Sequence, residues 1–104
     1  MTWTCWVDRR TCIVVRNKRA VSLGLVQFAI FEALHKAGQH SGRDKKLQAD
    51  HLADIAYNGA NNPSTRHTMH ACIYYANVKL AHLGLKIRST NRKQNSFYQI
   101  VEIT

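Results

Sequence analysis

Residues 62–84 read Asn-Pro-Ser-Thr-Arg-His-Thr-Met-His-Ala-Cys-Ile-Tyr-Tyr-Ala-Asn-Val-Lys-Leu-Ala-His-Leu-Gly, and this stretch decides the fold. Asn62 followed by Pro63 is a helix start, because asparagine caps free N–H groups and proline suits the first helical position. The helix is expected to run to about Leu83 and to stop at Gly84. At about 100° per residue, Met69, Cys72, Ile73, Ala76, Leu80 and Leu83 fall within about 60° of one direction, which is a core face. The opposite face holds His67, Ala71, Tyr74 and Val78, with His70 and Tyr75 on its flanks.

On the N-terminal side, Asp50 is placed to cap a short helix carrying Leu52, Ile55 and Ala56, which Asn58–Asn62 breaks. Before it, Leu25, Phe28, Phe31 (with Ile30 beside it) and Leu34 predict a helix ending at Gly38, followed by a polar loop over residues 39–46. Three strand-like runs open the chain: Trp3 to Val7, Cys12 to Arg16 and Arg19 to Leu23. Asn17-Lys18 serves as a two-residue hairpin turn between the last two, since asparagine tolerates positive φ. On the C-terminal side, Leu85 to Ser89 and Phe97 to Ile103 predict a hairpin around the polar turn Thr90–Ser96. A short helix, a turn and a longer capped helix make a helix-turn-helix, and the hairpin after it is a wing. The expected class is therefore α+β, a winged helix-turn-helix in one domain spanning residues 1–104. Its parts are N-terminal strands over 1–23, three helices over 25–83 and a wing hairpin over 85–103.

Lys and Arg total 15 against 6 Asp and Glu, a net charge of +9 with the six histidines neutral, so a polyanion is the first partner to weigh. From Ile55 to Thr104 there are six basic residues and one acid, Glu102. Apolar residues make up 45% and there is one proline, which excludes a disordered basic tail. No apolar run approaches the roughly 20 residues of a membrane span. The opening Met-Thr-Trp-Thr-Cys-Trp lacks the basic-then-apolar order of a secretory signal, so no membrane partner and a cytoplasmic setting are expected, nucleoid-associated if DNA is bound. Three cysteines, Cys5, Cys12 and Cys72, fit no disulfide scaffold, and reduced thiols are expected.

Several motifs resemble the winged-helix effector domain of OmpR/PhoB-type response regulators. Leu23…Phe28, Ile30-Phe31 and Leu34 match that family's first-helix spacing. Ala71-Cys72-Ile73 and Ala76-Asn77-Val78-Lys79-Leu80 match the apolar skeleton of its third helix. Ile87-Arg88-Ser89-Thr90-Asn91-Arg92 and then Phe97-Tyr98-Gln99-Ile100 match its closing hairpin. The resemblance covers nearly the whole chain and implies an effector domain without a receiver domain. Gly24 departs from the threonine with which the family caps its first helix, and Tyr74, Tyr75 and Asn77 stand where it places arginines. A second register, residues 47–56 with Leu80-Ala81-His82-Leu83-Gly84-Leu85-Lys86-Ile87, resembles the winged helices of small repressors and implies the same architecture.

The expected function is sequence-specific binding of double-stranded DNA by a transcriptional regulator, with the third helix in a major groove about 12 Å wide. Ser64, Thr65 and the first free N–H groups suit a phosphate at the helix's positive end. Arg66 suits a forked contact to guanine; His67, His70, Tyr74 and Tyr75 offer less selective bonds. Arg88, Thr90, Arg92 and Lys93 of the wing suit the backbone or minor groove. Arg9, Arg10, Arg16, Lys18 and Arg19 serve either a second DNA contact or an acidic partner such as a polymerase surface. The alternative function is a protein–protein module docking through the Tyr74/Tyr75 face; structured RNA is a third. A homodimer stays open. His67, His70 and Cys72 have part of a metal-ligand spacing, but no further cluster completes four ligands. No cofactor is expected. No nucleophile elbow, P-loop or paired-carboxylate motif occurs, so no enzymatic activity is expected.

Overall fold

The computed structural model describes residues 5–40, 47–57, 63–92 and 95–103, and the side chains of 37–40, 47–50, 63–67, 90–92 and 95–96 lie outside what it describes. The chain is α+β. An N-terminal antiparallel sheet is built from β1 (Trp6–Asp8), β2 (Ile13–Arg16) and β3 (Arg19–Ser22) in that spatial order. Three helices follow, α1 (Leu25–His40), α2 (Ala49–Ala56) and α3 (Pro63–Leu80). The two-residue strand β4 (Leu47–Gln48) precedes α2. A C-terminal hairpin of β5 (Leu85–Arg92) and β6 (Asn95–Glu102) closes the fold, giving a second sheet in the order β4-β6-β5.

The β2–β3 turn is set by local chemistry. Asn17 (φ 53°) and Lys18 (φ 65°) are both left-handed. Positive φ at both central residues is the two-residue turn whose twist matches antiparallel strands, and it normally takes glycine second. A lysine there is strained by about 1 kcal/mol. Lys18→Gly is accordingly expected to raise stability by about 0.5–1 kcal/mol, read as a higher urea midpoint at unchanged slope.

Helix α1 starts at Gly24, whose carbonyl accepts from Phe28 N–H at 2.8 Å while its own N–H donates to Gln27 Oε1 at 3.0 Å. That is half of a capping box, the half that needs no side chain on the capping residue. Phe28, Ile30, Phe31 and Leu34 are buried, whereas Leu25 is 82% exposed, contrary to its expected place on this face. The cause is geometric: Leu25 and Leu34 are nine residues apart, which is half a turn out of phase. Leu23, just before the cap, is buried instead, the position from which an apolar residue staples a helix start. Gly38 does not end the helix, which runs on to His40; one glycine in a helix costs only about 1 kcal/mol relative to alanine.

Other boundaries also move. Helix α2 begins at Ala49, so Asp50 sits in its first turn and does not cap it. Leu52 and Ala53 are buried but Ile55 is 42% exposed. Helix α3 ends at Leu80, and Ala81–Leu83 tighten into a 3-10 turn closed by Gly84 (φ 70°). The hairpin strands are longer than expected, because the ladder continues through the polar residues Thr90, Asn91 and Arg92, which pair with Phe97, Ser96 and Asn95. Asn62, the loop over residues 41–46 and the breaker at 58–62 lie outside the described residues, as do Trp3 and the other residues before Cys5.

The core runs through every part of the chain. Val14 of β2, Phe31 and Leu34 of α1, Leu52 of α2, Met69, Ala76 and Leu80 of α3, Leu85 of β5 and Tyr98 of β6 are all essentially inaccessible. Cys72 is half-buried at the rim of that core, and all three cysteines are free. Burial pushes the Cys5 thiol up to about 11, with Arg16 opposing in part. Among the described residues no helix is long and apolar enough to cross a membrane.

One core-edge group makes stability depend on pH. The His35 ring stacks on Phe31 with centroids 6.0 Å apart and planes 10° from parallel. Burial lowers its proton affinity below that of an ordinary imidazole, and the Glu32 carboxylate opposes this only in part. The unfolded chain therefore takes up this proton first as pH falls through about 6.5, so the folded state loses ground below that pH and is unaffected above it. Thermal melts between pH 7.5 and 5.5 are expected to fall less steeply for His35→Gln than for the parent chain.

Candidate nucleic-acid interface

The C-terminal sheet presents one free edge to α3. In Leu85-Lys86-Ile87-Arg88 the period is two: Leu85 and Ile87 are buried, and Lys86 and Arg88 are exposed. Strand β5 is the outer strand, so its outward-facing backbone groups lack a neighbouring strand. Asn77 takes that place. Its amide Nδ2 donates to the Ile87 carbonyl at 3.0 Å, and its Oδ1 accepts from Ile87 N–H at 2.7 Å. A carboxamide carries a donor and an acceptor side by side in one plane, so it pairs with a strand as another strand would. This clamp fixes helix against hairpin.

Below the clamp an open groove separates α3 from β5, lined by His70, Tyr74 and Asn77 on the helix and by Lys86, Arg88 and Ser89 on the strand. Among the described residues no acid lines it. At its floor, Tyr98 Oη and His70 Nδ1 share a hydrogen bond at 3.0 Å. Burial raises the Tyr98 phenol, which keeps it an O–H group at neutral pH. A phenol donating to Nδ1 leaves Nε2 as the imidazole's own donor.

The expected site residues divide as follows. His70, Tyr74 and Arg88 come together at the groove, and Tyr75 joins Tyr74 in an edge-to-face pair with centroids 5.5 Å apart. Tyr74 is 67% and Tyr75 61% exposed, and neither packs into the core. Ser64, Thr65, Arg66 and His67 occupy the first turns of α3, and Thr90 and Arg92 the outer end of β5; their side chains lie outside the described residues. Lys93 lies outside them altogether. Lys86 and Ser89 were missed, although strict alternation from Arg88 back to Lys86 places both cations on one face. Asn77, noted only as a departure from an arginine, is the clamp.

The N-terminal cations are largely committed within the chain. Arg9 Nε pairs with Glu32 Oε2 at 2.8 Å, and Lys36 approaches the same carboxylate at 3.9 Å. Arg16 donates to the Leu83 carbonyl at 2.5 Å and to Glu102 Oε2 at 2.8 Å. Arg19 donates to the His82 carbonyl at 3.3 Å. Cys72 Sγ accepts from the Tyr57 hydroxyl at 3.7 Å; burial and that bond push the phenol up to about 12. Among the described residues no three His, Cys, Asp or Glu side chains gather as metal ligands would. No protein family, curated protein or solved structure matches the chain.

Proposed function

We propose that the chain is a winged helix-turn-helix protein, similar to OmpR/PhoB-type effector domains, that binds double-stranded DNA as a transcriptional regulator. Helix α3 would enter the major groove by its N-terminal half, and the β5–β6 hairpin would lie on the neighbouring backbone and minor groove. The observation that carries this is the groove between α3 and β5, which among the described residues has no carboxylate in its lining and has Lys86 and Arg88 on its rim. Of the four described carboxylates, Glu32 is engaged by Arg9 and Lys36 and Glu102 by Arg16, while Asp8 and Asp54 are exposed elsewhere, and none of the four lines the groove. A polyanion approaching from that side meets uncompensated cations at a spacing set by the Asn77 clamp.

Salt dependence tests this. Engaging about five phosphates gives a slope of about −4.5 in log affinity against log salt, hence a loss on the order of several hundred-fold between 50 and 200 mM salt. The double substitution of Lys86→Ala with Arg88→Ala is expected to reduce that slope by about two, and Arg66→Ala to cost about 1–3 kcal/mol and relax one base position. Fluorescence anisotropy on duplexes selected from a random pool measures both. Absence of duplex binding at ~50 mM salt, or indifference to all three substitutions, removes the proposal.

A second reading is favoured by one observation. Tyr74, Tyr75 and Val78 are 67%, 61% and 56% exposed on one side of α3, an apolar strip unusual for a helix that reads bases. On this reading the strip docks a protein. A protein complex lost in Tyr74→Ala, together with no affinity for duplex DNA, would favour it.

A further inference from the structure

The N-terminal sheet has two unlike faces. Val7, Val14 and Val21 lie in register across β1, β2 and β3 and turn inward, with Val14 completely buried. The outward row is Trp6, Val15 and Ala20, also in register. Trp6 is 81% exposed and Val15 37%. A tryptophan that open is costly to keep in water, and tryptophan is the residue most often found as an interface anchor. Among the described residues β1 is paired on one side only, so its outer edge has unfilled N–H and C=O groups.

Charge frames this row at both ends. Residues 5–24 hold five cations and one acid, Asp8. Arg9 and Arg16 have carboxylate partners elsewhere in the chain; Asp8, the last residue of β1, turns outward with Trp6, and its Oδ1 accepts from the Arg10 N–H at 3.0 Å. Arg10 in the β1–β2 loop and Lys18 in the β2–β3 turn are exposed and form no ion pair among the described residues, whereas Arg19, opposite Arg16, turns to the inward side and donates to the His82 carbonyl. A second copy of the chain would set like charge on like here.

The place of this face separates it from the groove. Arg16 ties the sheet to Leu83 and Glu102, and Glu102 pairs with Leu85 at the base of the hairpin. The tip at Arg92 is seven residues further, about 23 Å along the strand. The first turn of α3 is likewise at the far end of its 18 residues, about 27 Å from Leu80. Lys18, next to Arg16 at the β2–β3 turn, therefore lies at the opposite end from the hairpin tip.

We infer that the outer face of the N-terminal sheet docks an extended, acidic segment of a partner protein, which adds to the β1 edge. Its alternate side chains would place an apolar residue against Trp6 and Val15, while its carboxylates meet Arg10 and Lys18 at the two ends of that row. Duplex DNA would use the cations but leave the Trp6 row in water.

The test is a display selection of random twelve-residue peptides, at ~150 mM salt, on the whole chain. Enriched peptides are expected to alternate Asp or Glu with bulky apolar residues and to shift the backbone amides of Trp6–Asp8. Their affinity should fall at least tenfold for Trp6→Ala and for Arg10→Glu combined with Lys18→Glu, and should be unchanged for Lys86→Ala with Arg88→Ala. Because Trp6 is exposed, Trp6→Ala should melt at the parent temperature, so a lost signal is not lost folding. Any of the following overturns the inference: no enrichment; enriched peptides that are not acidic; undiminished binding by Trp6→Ala; a dimer of the chain that Trp6→Ala dissolves; or a twelve-nucleotide oligothymidine that takes the same amides more tightly.

Discussion

Replacing Asn77 with alanine is expected to destabilise the chain by about 2–3 kcal/mol, a large share of the total for a domain of this size. Two hydrogen bonds are lost, at 3.0 and 2.7 Å, each worth about 1 kcal/mol net. The Ile87 N–H and C=O are then left without partners at a half-closed site, which costs about 1–2 kcal/mol more. Alanine's better helix propensity gives back roughly 0.6 kcal/mol. Urea titration measures the sum, and hydrogen exchange at the Ile87 amide locates it, since protection there should fall more than at buried amides of α1. Asn77→Asp sharpens the result. A carboxylate still accepts from Ile87 N–H but faces the Ile87 carbonyl with a second negative oxygen, so at pH 7 it should do no better than alanine. Protonation restores a donor, so its stability should recover as pH falls. A cost below 0.5 kcal/mol for alanine, with Ile87 protection unchanged, would mean that the Asn77 bonds do not hold helix against hairpin. On the proposed function the same substitution loosens the angle between reading helix and wing and weakens duplex binding as well.

How much of this was legible depends on the range of the interaction. The inward face of α3 could be read from spacing, because Met69, Ile73, Ala76, Leu80 and Leu83 repeat a helix period and all are buried. The β2–β3 turn could be read from Asn17-Lys18, and the hairpin from the apolar alternation that starts at Leu85. The first face of α1 was misjudged because a three-residue spacing drifts, which left Leu25 on the wrong side. Strand β4 had no signal: Leu47-Gln48 is two residues long and exists only by pairing with Phe97 and Tyr98 of β6. The groove was half legible. His70, Tyr74 and Arg88 were named from their elements, but Asn77 in mid-helix and Arg16 in a strand look like ordinary surface residues. Their partners are 10, 67 and 86 positions away, and no local pattern encodes that.

Arg16→Met is expected to cost about 2–3 kcal/mol, because this one side chain bonds the N-terminal sheet both to the helix end and to the hairpin base. Its guanidinium is 10% exposed and bonds the Leu83 carbonyl and the Glu102 carboxylate, which is 31% exposed. Open surface pairs are worth at most about 1 kcal/mol, while breaking a fully buried pair costs about 3–5. Glu102's access to water places this pair between those limits, and the charge-assisted bond to Leu83 adds to it. Methionine keeps the apolar stem, so the loss isolates the polar head. Glu102→Gln, which keeps an acceptor but not a charge, should cost only about 1 kcal/mol. Gly84 supplies the internal control. It is left-handed at φ 70°, and a Cβ there would stand 3.0 Å from Arg16 Nη1. Gly84→Ala thus combines a backbone penalty of about 1–2 kcal/mol with pressure on a guanidinium that two bonds hold in place. In the Arg16→Met background the pressure is gone and only the backbone penalty remains. The double variant should therefore be less destabilised than the sum of the singles, by about 0.5–1 kcal/mol in a cycle of urea titrations. Strict additivity would show that Arg16 is not held against Gly84.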